Sequence, residues 1–235
     1  MRVQDCNWMQ LEEYLRADDR IVLPLGSVEQ HAYLSLAVDQ ILAERVAVEA
    51  AEPLGVPVLP ALPYGIAPYF AAYPGSPTLS PETYAAVLRE LIGTLGAQGF
   101  RRFLLVNGHG GNDAGRPALE GWAAALPEIQ IIWHNWWNAS RTWAEVQAID
   151  PDASHASWLE NFPWTRLSGV DPPRERKPMV DLSAVREADP EDAREMLGDG
   201  SFGGLYVRPD EDVLRIWRVG VEEVRAVLAS GWRDA

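Results

Sequence analysis

Apolar and polar positions along the chain switch between two periods. Ile21-Val22-Leu23-Pro24-Leu25 is a short unbroken apolar run closed by Gly26, the pattern of a strand covered on both faces. From Asp39 to Glu52 the spacing becomes helical, with Ile41, Leu42, Val46 and Ala50 on one side. Val56-Pro57-Val58-Leu59-Pro60 is a second apolar run whose prolines suit a strand end or an edge. A long Tyr/Pro/Gly segment follows, from Leu62 to Leu79. Ser80-Pro81-Glu82-Thr83 then predicts a helix start, with Ser80 as N-cap and Pro81 at the first helical position. That helix runs to about Gln98 and stops at Gly99. Phe103–Val106 reads as a buried strand, 107–112 as a loop, 114–125 as a helix and Ile129–Trp133 as another strand. Strands alternating with helices predict an α/β fold: a mostly parallel sheet flanked by helices in three layers.

Beyond Trp133 the pattern loosens. Residues 163–181 are rich in Pro and Arg and predict an extended surface segment. Asp189-Pro190-Glu191 and Arg208-Pro209-Asp210-Glu211 predict two helix starts, with the glycine-rich stretch 198–204 as a loop between them. No repeat and no sharp break in composition divides the chain. The expectation is a single domain over residues 1–235, with 163–235 as its C-terminal extension.

Charge narrows the function classes. Twenty Lys/Arg against thirty-four Asp/Glu give a net charge of −14, which opposes the basic stripe that a nucleic-acid partner requires. The lone Cys6 excludes a disulfide framework and a cysteine zinc ribbon. The first fifteen residues lack the layout of a signal peptide. No stretch reaches the roughly 18 apolar residues of a membrane span. A cytoplasmic protein with no membrane or nucleic-acid partner is expected.

Any metal site must therefore draw on His, Asp and Glu. Three of the four histidines lie at or just beyond predicted strand ends: His31, His109 and His134. The fourth, His155, heads His155-Ala156-Ser157-Trp158-Leu159-Glu160. In open α/β sheets ligands bind outside the carboxyl ends of the strands, so these loops are expected to converge. Glu29 and His31 are two apart and point the same way from an extended loop. Asp39 stands where the next helix begins, and a plain N-cap would account for it. Asn107-Gly108-His109-Gly110-Gly111-Asn112 lacks the Lys-Ser/Thr of a phosphate loop and the spacing of a dinucleotide fingerprint. Its glycines instead leave the His109 imidazole free to reach a metal. Carboxylates and imidazoles without thiolates suit zinc, manganese or ferrous iron.

Leu25-Gly26-Ser27-Val28-Glu29-Gln30-His31, then Asp39, then Asn107–Asn112, with Tyr64-Gly65 and Pro74-Gly75-Ser76 between them, resemble the creatininase (creatinine amidohydrolase) family over roughly residues 20–162. The resemblance implies a hydrolase with two divalent metal ions (Zn, Mn or Fe) on a creatininase-like α/β fold, a small-molecule substrate, and assembly as a homohexamer. It implies Glu29 and His109 on one ion, His31 on the other and Asp39 bridging. In creatininase itself the last ligand is a Glu two residues after the second-motif His. Gly111 stands there in this chain, and Glu160 takes the role by its match to a later family segment, His-Ala-Gly-x-x-Glu-Thr-Ser. His155 then becomes a proton donor or substrate contact. Three departures alter the pocket wall: Ala32-Tyr33-Leu34 replaces Gly-Pro-His, the spacing from His31 to Asp39 is one residue short, and Asn161-Phe162 replaces Thr-Ser.

Ten tryptophans are many for this length. Core and interface packing accounts for most of them. Trp136 or Trp158 is expected to face a flat or ring-shaped substrate, with Tyr64, Tyr69, Phe70 and Tyr73 opposite. The expected chemistry is attack by a metal-activated water on a small cyclic amide, with His155 protonating the leaving group. The same attack on a cyclic keto-polyol would open a keto-inositol ring at a C–C bond. A non-catalytic metal-binding scaffold is the alternative from another class.

Overall fold

The computed structural model describes residues 1–233. Among them, three strands form one parallel sheet in the order β1 (Arg20–Leu25), β2 (Arg102–Asn107), β3 (Gln130–Asn135). Leu25 pairs with Asn107 and Asn107 with Asn135, so all three carboxyl ends finish level. Helix α1 (Trp8–Tyr14) precedes β1. Helices α2 (Val38–Ala51), α3 (Pro81–Gln98), α4 (Arg116–Ala123) and α5 (Ser140–Ile149) alternate with the strands, and α6 (Leu182–Glu187), α7 (Pro190–Leu197) and α8 (Asp210–Ser230) close the chain.

Strand alternation sorts the core into two layers. Ile21, Leu23, Leu25, Phe103 and Leu105 face Tyr84, Leu88 and Ile92 of α3 and Leu119 of α4. Val22, Leu104 and Val106 face the other way, onto α2 and α8, where Trp136, Phe162 and Trp217 fill the gap. Helix α8 lies over α2. The Trp217 indole N–H donates to Glu49 at 2.8 Å, and the Arg225 guanidinium donates to the carbonyls of Glu49 (3.0 Å) and Ala50 (3.2 Å) at the α2 C-terminus.

The second apolar run does not extend the sheet as a full strand. Val58 bridges Val22 and Leu62 bridges Leu25, both in parallel sense, but only as isolated contacts along the β1 edge. Pro24, Pro57 and Pro60 each remove an N–H from that ladder. The predicted start of α3 is observed: the Ser80 hydroxyl accepts from Thr83 N–H, and the helix ends at Gly99. Helix α2 begins differently from expectation. Its N-cap is Ala37, and Asp39 lies one position inside the first helical residue. Its buried face is Val38, Leu42, Ala43, Val46 and Ala50, with Ile41 only half-buried. Among the described residues no helix is long and apolar enough to cross a membrane.

Candidate metal centre

Asp39 sits close to the rim of the sheet because α2 starts beside the β2 loop. A Cβ on Gly108 would come within 2.6 Å of the Asp39 carbonyl, so glycine is required for that approach. The loop is then tied from both ends. The Asn107 amide donates to the His109 carbonyl (2.7 Å) and to Asn135 (2.9 Å). The Asn112 amide donates to Asn107 (3.0 Å) and to the Gly26 carbonyl (3.2 Å), and its oxygen accepts from Ile66 N–H (3.2 Å). The outer asparagines of the glycine-rich motif are thus its fasteners, a role their position at either end of the loop could have suggested.

His31 and His109 each have one ring nitrogen held by backbone and the other aimed at Asp39. His31 Nδ1 lies 3.1 Å from the Glu29 carbonyl and His109 Nε2 lies 2.9 Å from the Ile66 carbonyl, so each donates its proton there. The opposite nitrogens converge on the two oxygens of Asp39: His31 Nε2 at 3.1 Å from Oδ1, His109 Nδ1 at 3.0 Å from Oδ2. Glu29 joins the His109 side at 3.3 Å and Glu160 the His31 side at 3.7 Å. Three groups of ligand atoms lie close enough to hold an ion, and two of them, Glu29–Asp39–His109 and His31–Asp39–Glu160, share the Asp39 carboxylate; the third is Glu29–His31–His155.

These residues fit divalent cations on grounds of their own. Among the described residues both oxygens of Glu29 and Oδ2 of Asp39 are buried without a hydrogen-bond partner, His109 Nδ1 lying 3.3 Å from Glu29 and 3.0 Å from Asp39 as an ion-pair contact. Buried carboxylates without donors are costly, and a cation is the usual compensation. The donor set of imidazole and carboxylate suits a hard-to-borderline ion. Gly111 cannot carry a further ligand: a Cβ there would sit 1.9 Å from the Ile66 carbonyl and 2.5 Å from His109.

Protonation follows the same crowding. Burial opposes a charge on His31, yet the carboxylates of Asp39, Glu160 and Glu29 outweigh it and push the imidazole up to about 10. Glu29 and Asp39 likewise hold His109 well above its ordinary value against burial. Asp39 is held far below the carboxylate range by both imidazoles, although burial works against its charge. Burial and the Asp39 charge lift Glu160 to about 7, with His31 pulling the other way. His155 moves down, well below 6.5, because it is buried and faces His31 and His109.

His155 is packed between Phe70 (4.8 Å, stacked) and Phe202 (4.7 Å). Its Nδ1 lies 3.9 Å from Glu29. Its Nε2 is 2.9 Å from the Gln30 amide nitrogen, whose other proton goes to the Gly200 carbonyl at 3.0 Å. The C-terminal segment therefore backs this ring through Gly200 and Phe202. His134 is corrected: among the described residues it joins no ligand group, because it lies within β3 on the face of Ile132, which packs on the α2 and α8 layer.

The cluster forms the floor of a cavity of about 690 Å³. The expected aromatic wall is corrected as well. Trp136 is buried in the core, 5.4 Å from Trp217 and 6.2 Å from Phe162. Truncating a side chain so placed costs about 3–5 kcal/mol. Trp158 is fully buried with the Arg208 guanidinium over its ring. Tyr64 is exposed and lies outside the cavity lining. Trp137 and Trp143 take the tryptophan's place, while Tyr69, expected on the opposite wall, does line the cavity. Trp137 is the neighbour of an expected residue: the 3-10 turn at Trp136–Asn138 sends Trp136 inward and leaves Trp137 half-buried at the cavity.

A family model described as creatininase, creatinine amidohydrolase, matches residues 4–205. The chain belongs to the creatininase family. The match extends past the motifs on both sides and takes in the loop that backs His155. The chain is 28% identical over 165 residues to a creatinine amidohydrolase of Pseudomonas putida, covering 64% of this chain and 63% of that protein. It is 30% identical over 139 residues to a 3-dehydro-scyllo-inosose hydrolase of Thermotoga maritima, covering 58% and 45%. The matched stretch thus spans less than two thirds of either relative. Among solved structures, a mutant creatininase of Zn–Zn type has a TM-score of 0.77 at 22% identity, covering 99% of this chain and 98% of that one. A Mn creatininase has 0.78 at 21%, covering 99% of both. At those identities the likeness is one of fold, and the creatininase architecture runs through nearly the whole chain.

Proposed function

We propose that this protein is a hydrolase of a small carbonyl compound, dependent on two divalent metal ions. One observation carries the reading: the two oxygens of the buried Asp39 face different histidines, each with its other nitrogen tied to a backbone carbonyl. That is the arrangement of a carboxylate shared between two ions, with backbone carbonyls setting ring orientation. Glu29 and His109 would hold one ion, His31 and Glu160 the other. Bound there, the ions would supply Lewis acidity and a water that ionises near neutrality.

The remaining steps belong to the chain. The Gln30 amide is oriented by Ala32 N–H on its oxygen (3.2 Å) and by the Gly200 carbonyl on its nitrogen. It faces His155 Nε2, which also lies 3.1 Å from the Gln30 backbone carbonyl, so Gln30 fixes that edge of the ring while Nδ1 is turned toward Glu29. A neutral imidazole so held donates a hydrogen bond to a reacting oxygen or nitrogen and passes its proton to a leaving group. Phe70 and Phe202 keep water from the far side of the ring.

Amide C–N cleavage is the favoured reaction. Above the cluster the walls are Trp137, Trp143, Tyr69, Leu159, Met179 and Leu182, with Ser154, Asn138, Asp113 and Arg186 as their polar members. A flat or apolar carbonyl compound matches them better than a polyol, whose hydroxyls need many partners. Ring opening of a cyclic keto-polyol is the second reading, supported by the likeness to the inosose hydrolase.

The test is metal analysis of the purified protein, followed by a hydrolysis screen of lactams, formamides and cyclic keto-polyols with zinc, manganese or ferrous iron. Two ions per chain are expected, with activity lost on chelation and restored by metal. A reconstituted protein with no tightly held ion, and with unchanged stability on chelation, would make it a scaffold.

A further inference from the structure

Arg186 is the one Lys or Arg among the residues lining the cavity. It sits in the last turn of α6, exposed, and makes no ion pair or hydrogen bond among the described residues. Three nearby cations are tied. Arg176 pairs with Asp150 and Asp152, Lys177 is held by Asp199 and the carbonyls of Leu197 and Ser201, and Arg194 donates to the Ala72 carbonyl. The carboxylate at the cavity rim, Asp113, does not neutralise Arg186. It accepts from the Trp133 indole (2.8 Å) and the Asn135 amide (3.0 Å).

Tyr69 lines the same cavity as Arg186 and the cluster. Its hydroxyl has no hydrogen-bond partner among the described residues. Exposure rises across the lining, from the buried Glu29, Asp39 and His109, through the half-buried Trp137, Trp143 and Tyr69, to the exposed Arg186.

We propose that Arg186, with Tyr69, selects substrates that carry a carboxylate at the end remote from the scissile bond. The inference rests on the metal-centre reading. Its chemistry is simple: a guanidinium supplies parallel N–H donors to a carboxylate, and the Tyr69 hydroxyl adds one more.

Hydroxamates test this apart from any turnover, since the hydroxamate binds metal and the tail reports the outer cavity. The probes are acetohydroxamate and two series of graded chain length, one ending in methyl and one in carboxylate. Binding to the zinc-loaded protein is followed by calorimetry. For at least one length the carboxylate-ended probe binds about fivefold tighter than its methyl counterpart, the scale of a partly exposed ion pair. Arg186→Gln abolishes that preference, Arg186→Lys keeps part of it, and added salt weakens it. Equal binding of the two series at every length would overturn the proposal, as would a preference that survives in Arg186→Gln. Failure of acetohydroxamate itself to bind would overturn the metal-centre reading, and this inference with it.

Discussion

The two triads share Asp39 but stand on different supports. Glu29 and His109 leave the ends of β1 and β2, buried to 0% and 5% side-chain exposure, in loops fastened by Asn107 and Asn112. Glu160 of the other triad comes from a short 3-10 turn at Trp158–Glu160, with its side chain 17% exposed. The two non-glycine residues with positive φ among those described both border this second triad. Ala32 (φ 50°) follows His31, and Ala156 (φ 54°) donates its N–H to Glu160 at 2.6 Å. The first triad is set by the sheet ends; the second joins His31, from the same β1 loop as Glu29, to Glu160 on an irregular turn, with a positive-φ alanine beside each. Ligands on strand ends are held more rigidly than ligands on loops, so the two ions should differ in affinity.

The largest effect should come from removing what the triads share. Asp39→Asn should lower metal content by at least one ion per chain and hydrolysis by about a thousandfold or more. Elemental analysis after dialysis reads the first and initial rates the second. Unchanged occupancy would mean that Asp39 bridges nothing and that the comparison of two triads is void.

Next in size is the difference between the triads themselves. Glu160→Gln should weaken one ion by about 10- to 100-fold and leave the other tight, whereas Glu29→Gln should affect the tight one. Competition titrations against a zinc chelator separate the two; identical profiles for the two variants would break the distinction. The pH dependence sharpens it further. Without metal, His31 is pushed up to about 10 and Glu160 lifted to about 7, so an ion must displace protons and bind better as pH rises. Stability of the chelated protein should run the other way. The His31 value exceeds its ordinary 6.5, so its contribution is complete below 6.5 and lost as pH rises through about 10. The raised value of Glu160 likewise contributes below 4.5 and fades as pH rises through about 7. Thermal melts of chelated protein should therefore fall between about pH 6 and 8, where zinc affinity climbs. Melting temperatures that rise over that interval would contradict these assignments.

The strand-borne half was also the legible half. Ser80, Pro81 and Gly99 bound α3 because capping and chain reversal are local requirements, readable from a few residues. Glu29, His31, Asp39 and His109 could be named from spacing at strand ends, with the family resemblance assigning their parts, and Glu160 from a short motif. What escaped was whatever depends on the direction of a side chain in an irregular segment. A 3-10 turn decides that Trp136 enters the core while Trp137 meets the cavity, and no periodicity spans so short a turn. Arg186 reaches the cavity from more than seventy residues beyond the glycine-rich motif, a placement that only tertiary packing creates. Asp39 was readable as a cap because caps and ligands draw on the same residue types; the helix begins two residues earlier and releases it.

The smallest predicted effect tests the strain itself. Ala32 occupies a left-handed conformation that costs a residue with a Cβ about 1–2 kcal/mol. It is also where the family pattern has glycine. Replacing it relieves that cost but adds unfolded-chain freedom worth about 0.5–1 kcal/mol. Ala32→Gly should therefore be neutral to mildly stabilising, by about 0–1 kcal/mol in denaturant unfolding. A surface alanine of α3 changed the same way should lose about 1 kcal/mol. If both substitutions destabilise equally, the turn after His31 stores no strain, and the weaker triad owes its difference to the exposure of Glu160 alone.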